Sequence, residues 1–277
     1  MRSTPRLANV VSYIGLTLLA LAIVLPLLSL LSASFKSPFE VQTNASLIPE
    51  DPTFAAYLPL LSFDGPTPVL RWFMNSVIVS TTSAVLSVVF AALAAFALTR
   101  MRFRGRGLVF GVLVATLFVP GFVFLIPNFV TVDRLGLLDS LPALILPSLG
   151  GAFGVIFLSG FFAGLPKELE EAASIDGANQ WRIFISVMLP QAQGALSTLL
   201  VLSFLGAWND LLWPTYVIFD TNNLTLTAGL PLLQSAHLGN LPAAMAGSVI
   251  SAVPVLVVFV LAQRKIVESV ANVGLKG

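Results

Sequence analysis

Cysteine is absent from the 277 residues, and histidine occurs once, at His237. The first absence excludes disulfides, thiolate metal sites and thiol chemistry. The second excludes a zinc hydrolase of the H-E-x-x-H kind, which needs two histidines on one helix face. A serine nucleophile would need a base beside it, and His237 falls in a loop between apolar runs, so it reads as an ordinary loop residue. None of the four lysines follows a glycine. Without a Gly-Lys turn to cradle phosphates, the chain does not hydrolyse ATP by itself. Charge is scarce as well. Charged residues make up 10% of the chain, against about 25% in soluble domains, and a net charge of +1 offers no basic excess for nucleic acid. No metal site, no cofactor and no nucleic-acid partner are expected.

What is there is oil. Hydrophobic residues make up 57% of the chain and the mean hydropathy is +0.94, so lipid is the solvent for most of the protein. A bilayer core asks for about 20 apolar residues per helix. Six stretches meet this, near Leu7 to Phe35, Trp72 to Thr99, Leu108 to Val130, Leu141 to Ala163, Ala192 to Phe219 and Leu241 to Ala262. The first is too long for a signal-peptide core and no small-residue cleavage site follows, so it reads as a retained anchor. The expectation is an all-α, polytopic membrane protein of six transmembrane helices in one domain over 1–277. Pro120, Pro127, Pro147 and Pro254 are expected to kink their helices. Three G-x-x-x-G pairs, Gly107/Gly111, Gly150/Gly154 and Gly160/Gly164, are candidates for close helix approach.

Lysines and arginines orient the chain. With the N-terminus inside, eleven of the fourteen fall on the cytoplasmic side and only Lys36, Arg71 and Arg134 outside. Both termini are then cytoplasmic, and the run "RMRFRGRG" after the second stretch is a topology anchor. The outer connection 36–71 holds six prolines and a net charge of −2, which reads as an irregular loop. Ion-driven secondary transport has little support, because Asp210 is the only ionisable residue inside a predicted span.

The loop 164–190 carries an unusual segment, "EAASIDGANQWRIFISVMLP". Pro166 suits the first position of a helix, and Glu168, Glu170 and Glu171 lie where its dipole favours negative charge. Leu165, Leu169, Ala172 and Ala173 make one narrow apolar face whose later members are small, so another surface can come close. Gly177 ends the helix with a left-handed backbone. A second run then places Trp181, Phe184, Ile185 and Met188 at helical spacing before Leu189 and Pro190. Two short helices meet at an elbow. Periodicity alone fits an amphipathic hairpin resting on the membrane equally well.

The spacing of Glu171, Ala172, Ala173, Gly177, Val187, Leu189 and Pro190 resembles the cytoplasmic E-A-A loop of ABC importer permeases. Further segments, "SFKSPFEV", "FMNSVIVS", "LGLLDS", "PKELEEAASIDGA" with Asp176, "GAWNDLLWP" and the basic tail "GLKG", are similar to the carbohydrate-uptake, maltose-type branch of that family. The resemblance implies a type I ABC importer permease fold, with 164–190 as the coupling loop docking through Leu169, Glu171, Ala172, Ala173, Asp176, Gly177, Leu189 and Pro190. It also implies the partners: a second homologous permease, two cytoplasmic ATP-binding subunits, an extracytoplasmic solute-binding protein, a carbohydrate substrate and membrane lipid. An importer of another solute, such as a polyamine or polyol phosphate, shares the E-A-A loop. A non-transporting scaffold that recruits an ATPase is the alternative from a different class.

At "GAWNDLLWP", Trp208, Asn209 and Asp210 offer an aromatic face, an amide and a carboxylate, which suits a sugar. Pro214 loosens the backbone nearby. Two readings stand: the three side chains line the substrate pathway, or they serve as interfacial belt and helix-packing groups.

Overall fold

The computed structural model describes residues 6–63, 65, 67–236 and 240–274. His237 lies outside the described residues, as do Arg2 and Lys276. In chain order the α-helices are α1 (Arg6–Ser34), α2 (Pro38–Thr43), α3 (Val69–Arg100), α4 (Arg106–Thr116), α5 (Leu125–Arg134), α6 (Leu141–Ile145) and α7 (Ala152–Ala163). After them come α8 (Glu168–Ile175), α9 (Gln180–Ile183), α10 (Leu189–Gln191), α11 (Gln193–Trp208), α12 (Leu212–Val217), α13 (Leu226–Ala236) and α14 (Leu241–Gly274). No strand occurs among the described residues.

Among the described residues three helices are long and apolar enough to cross a membrane unbroken, over Asn9–Ser34, Val69–Arg100 and Leu241–Gln263. The number is six if each of three bent pairs is one span: Arg106–Thr116 with Gly121–Arg134 at 104°, Leu141–Gly150 with Ala152–Ala163 at 44°, and Gln180–Gln191 with Gln193–Trp208 at 79°. The sharpest bend has a local cause. Pro120 has no N–H to give the carbonyl of Thr116, four residues earlier, and α4 ends at Thr116. Pro254 lies inside α14, which runs through it.

By its contacts the chain forms two compact units, one of residues up to Leu70 with Gly229–Val253, the other of Arg71–Ala228 with the chain from Pro254. In the first unit, the expected irregular loop turns out to be organised around a buried cation. Lys36 is 4% exposed, and its Nζ donates to the carbonyls of Asn44 and Ser46 at 2.8 and 2.6 Å. Glu40 lies 4.0 Å away and accepts the N–H of Glu50 at 2.8 Å. The rings of Phe35, Phe54 and Tyr57 pack with centroids 5.2 to 6.2 Å apart. A lysine that the sequence offers as a topology charge therefore also closes the fold of its own loop.

In the second unit, small residues on α3 set the packing. Ala91, Ala92 and Ala95 are buried against Leu158 and Phe162 of α7, Ile183, Phe184 and Met188 of the E-A-A loop, and Leu199 of α11. Of the three expected glycine pairs, Gly154 stands at a tight approach: a Cβ there would lie 3.1 Å from the Cβ of Ala91 and 3.2 Å from Leu199. A Cβ at Gly107, Gly111, Gly150 or Gly160 would meet nothing within 4 Å.

The start of α3 straps down a distant segment. Trp72 is fully buried and its indole N–H donates to the carbonyl of Thr221 at 2.6 Å. The amide of Asn75 donates to the carbonyls of Asn222 and Leu224 at 2.8 and 2.9 Å, and Ser76 Oγ accepts the N–H of Leu226 at 2.8 Å. Asp139, at φ 60°, accepts the N–H groups of Phe219 and Asp220 at 3.0 and 2.9 Å. The segments "FMNSVIVS" and "LGLLDS" thus act on the same stretch, 217–226.

Candidate functional site

In the loop 164–190, α8 starts at Glu168 with Lys167 as its N-cap, so Pro166 stands before the helix and not at its first position as the sequence suggests. In α8 the three glutamates occupy the first turn. Gly177 sits at φ +81°. The N–H of Ala178 donates to the carbonyl of Ala173 at 2.9 Å, and that of Gly177 to Ser174 at 3.0 Å. This paired pattern is a Schellman motif, which requires the left-handed residue that glycine supplies most cheaply. Asn179 then starts α9, its side chain accepting the N–H of Arg182 at 2.9 Å. Both sides of the elbow are hydrogen-bonded in place.

The apolar residues divide differently from the expected faces. Leu165 and Ala173 pack on the core, whereas Leu169 and Ala172 are exposed, Leu169 at 40%. In the second run, Ile183, Phe184 and Met188 are buried while Trp181 and Ile185 are 59% and 45% exposed. A π-helical turn over Phe184–Met188 explains the change. Its wider turn carries Phe184 and Met188 to one side and leaves Trp181 and Ile185, four apart, outside. Ile175, at the end of α8, is 87% exposed. Its spacing of three from Ala172 was the available signal for it. Glu171, Asp176 and Gly177 are exposed too, Leu189 is half-buried and Pro190 exposed.

One connection was not legible from spacing. Arg100, the last residue of α3, has Nε 2.8 Å from Oε1 of Glu170. Its terminal NH2 group donates to the carbonyls of Phe162 and Leu165, at 2.5 and 2.8 Å. The Nε contact lies off the hydrogen-bond direction, so charge attraction holds it. Arg100 is almost wholly buried. A single guanidinium thereby joins α3, the end of α7 and α8, where the sequence offered only a topology charge and a helix-dipole glutamate.

At "GAWND" the expected fifth span is interrupted. The 16-residue α11 stops at Trp208, three residues follow without helix, and α12 adds six more. Pro214 cannot donate to the carbonyl of Asp210, and the carboxylate of Asp210 takes the N–H of Trp213 at 3.2 Å. Trp208 is 1% exposed, its ring stacked on Phe204 and edge-on to Phe73, both at 5.7 Å. Asn209 is exposed, and its amide donates to the carbonyl of Leu205 at 2.9 Å. The three side chains have different partners. Asp210 alone of them lines two adjoining cavities, of about 230 and 280 Å³. The indole N–H of Trp213, which lines the second, donates to the carbonyl of Ala143 at 2.9 Å.

Residues 87–271 match the family described as the binding-protein-dependent transport system inner membrane component. The chain belongs to this family. Among curated relatives of this inner-membrane component, the diacetylchitobiose uptake system permease protein NgcG of Streptomyces coelicolor is 34% identical over 274 residues, 98% of this chain and 90% of the relative. The arabinooligosaccharides transport system permease protein AraQ of Halalkalibacterium halodurans is 32% identical over 277 residues, 100% of this chain and 99% of the relative. A chain in the crystal structure of a bacterial ABC transporter that imports the acidic polysaccharide alginate superposes with a TM-score of 0.84 at 26% identity, over 95% of this chain and 98% of that one. The inner-membrane component is therefore an all-α, membrane-spanning protein of the type I importer permease fold, similar along its whole length to transport permeases.

Proposed function

We propose that this inner-membrane component forms half of the translocation pathway of an ATP-driven carbohydrate importer, driven through the loop 164–190 by a separate cytoplasmic ATPase. The observation that carries the coupling is the exposed apolar surface of the loop, Leu169, Ala172, Ile175 and Trp181, mounted on a hydrogen-bonded elbow. Apolar groups held out from a rigid mount fit a docking face, since water gives them no return for their exposure. The Arg100 clamp supplies a route by which force on α8 reaches α3.

The carbohydrate assignment draws on relatives whose names specify diacetylchitobiose, arabinooligosaccharides and maltose or maltodextrin. The remaining partners are a second homologous permease, two ATP-binding subunits and an extracytoplasmic binding protein, and both termini are cytoplasmic. The family's description as a binding-protein-dependent system is in keeping with the extracytoplasmic binding protein. Asp210 and Asn209 stand closest to the pathway in this reading, with Trp208 holding the break in place.

The test is uptake by the complete importer in sealed vesicles, offered labelled diacetylchitobiose, arabinooligosaccharide and maltose with binding protein and internal ATP. ATP-dependent uptake of at least one is expected. Uptake of a polyamine instead, or ATPase attachment with no flux of any solute, would overturn the assignment.

A further inference from the structure

The cavity of about 230 Å³ lies among α3, the 3₁₀ turn Leu146–Gly150, α11 and Thr225 of the strapped segment. Its lining is unlike the rest of this oily chain. Ser83, Ser148, Ser203 and Thr225 present hydroxyls and Asp210 a carboxylate, beside apolar walls such as Val79. Ser83 and Thr225 are each only 2% exposed, and neither hydroxyl has a hydrogen-bond partner among the described residues. Buried hydroxyls without partners are rare, because burial removes water and returns nothing unless something else bonds to them. By contrast, Ser148 Oγ is already satisfied by the carbonyl of Ile145 at 2.7 Å. Of the four buried hydroxyls without a partner among the described residues, Ser32, Ser83, Ser159 and Thr225, two belong to the lining of this one cavity.

We infer that this cavity is a binding station for one sugar ring on this subunit, with Ser83 and Thr225 bonding to ring hydroxyls and Asp210 accepting from a third. The chemistry of the walls favours this ligand. A hydroxyl both donates and accepts, so it matches a solute edged with hydroxyls, while the aliphatic walls suit C–H faces. A single water needs only about 10–15 Å³, and a directly held metal cation draws its oxygens in to about 2–2.6 Å. The space is too large for either alone. The inference rests on the carbohydrate reading above and adds residues that neither "GAWND" nor the E-A-A loop contains.

Because the chain has no cysteine, the station can be probed by single cysteines. Ser83→Cys and Ser203→Cys are labelled with N-ethylmaleimide in the full importer, with Ser62→Cys in the 36–71 loop as control. Whichever of the three test sugars the wild-type vesicles transport should slow labelling at 83 and 203 by severalfold, and leave 62 unchanged. Ser83→Ala and Thr225→Val should each raise KM by about three- to tenfold, the loss of one hydrogen bond, with maximal uptake changed far less. If the transported sugar protects neither cysteine, if neither cysteine is labelled, or if KM does not move, the station is not there. Absence of sugar uptake by the wild type would instead defeat the carbohydrate reading itself.

Discussion

At the loop 164–190 the chain fixes its backbone and leaves side chains out, whereas at the break after Trp208 it buries the large side chain and leaves the backbone open beside a cavity. The first region has a Schellman corner, an asparagine cap and a buried arginine, and shows Ile175 and Trp181 to its surroundings. The second has three residues without helix, a proline that cannot donate and a carboxylate standing in for a backbone acceptor. The difference fits the two tasks proposed for them. A surface that receives force needs a stiff mount and a bare contact face, while a site that admits a polar solute needs unspent hydrogen-bonding groups and room.

The contrast breaks first at Trp208. As a packing residue, Trp208→Ala should destabilise the purified subunit by about 3–5 kcal/mol, read as a fall in thermal midpoint. Lost transport with unchanged stability would move Trp208 from packing to solute contact. Arg100→Ala comes next, at about 3 kcal/mol, because it strands a mostly buried glutamate and two carbonyls. Glu170→Gln should cost less, since Arg100 keeps Phe162 and Leu165. Equal effects would mean that the ion pair alone holds α8.

Gly177→Ala should cost about 1–2 kcal/mol from its left-handed backbone. A Cβ there meets nothing within 4 Å, so the cost is conformational only. Gly177→Asn should recover part of it, and failure to do so would point to a contact. The smallest effect belongs to Asp139. Burial pushes its carboxyl up, but the N–H groups of Asp220 and Phe219 and the amide of Asn223 outweigh this and hold it below the ordinary carboxylate value. Its contribution is thus present above the usual carboxylate pKa and lost as pH falls through the lower folded value. Thermal midpoints from pH 5 to 3 should fall slightly further in the wild type than in Asp139→Asn. Parallel curves would remove Asp139 from the strap.

Composition and run length made the six apolar stretches legible, and Gly177 could be read as a left-handed corner because few residues do that work. Long-range partners could not be read. Arg100 looks like any interfacial arginine until α7 and α8 are seen around it, and Lys36 looks like an outer charge until its loop folds over it. The π-turn at Phe184–Met188 breaks the regular helical spacing, and Ile183 is in the core where Ile185 is not. Ser83 and Thr225 gave no signal at all, since one serine in an apolar helix commonly bonds back to its own carbonyls.

In the proposed function, ATP-driven motion enters this subunit at the exposed face of the E-A-A loop. Ala172 is exposed, so Ala172→Trp leaves the subunit's own packing alone and alters only that face. Co-purification of the ATPase, with sugar-stimulated hydrolysis in the reconstituted importer, measures the consequence. The variant should stay in the membrane and paired with its partner permease, yet lose ATPase attachment or the link between hydrolysis and uptake. Full attachment with coupled uptake would contradict it.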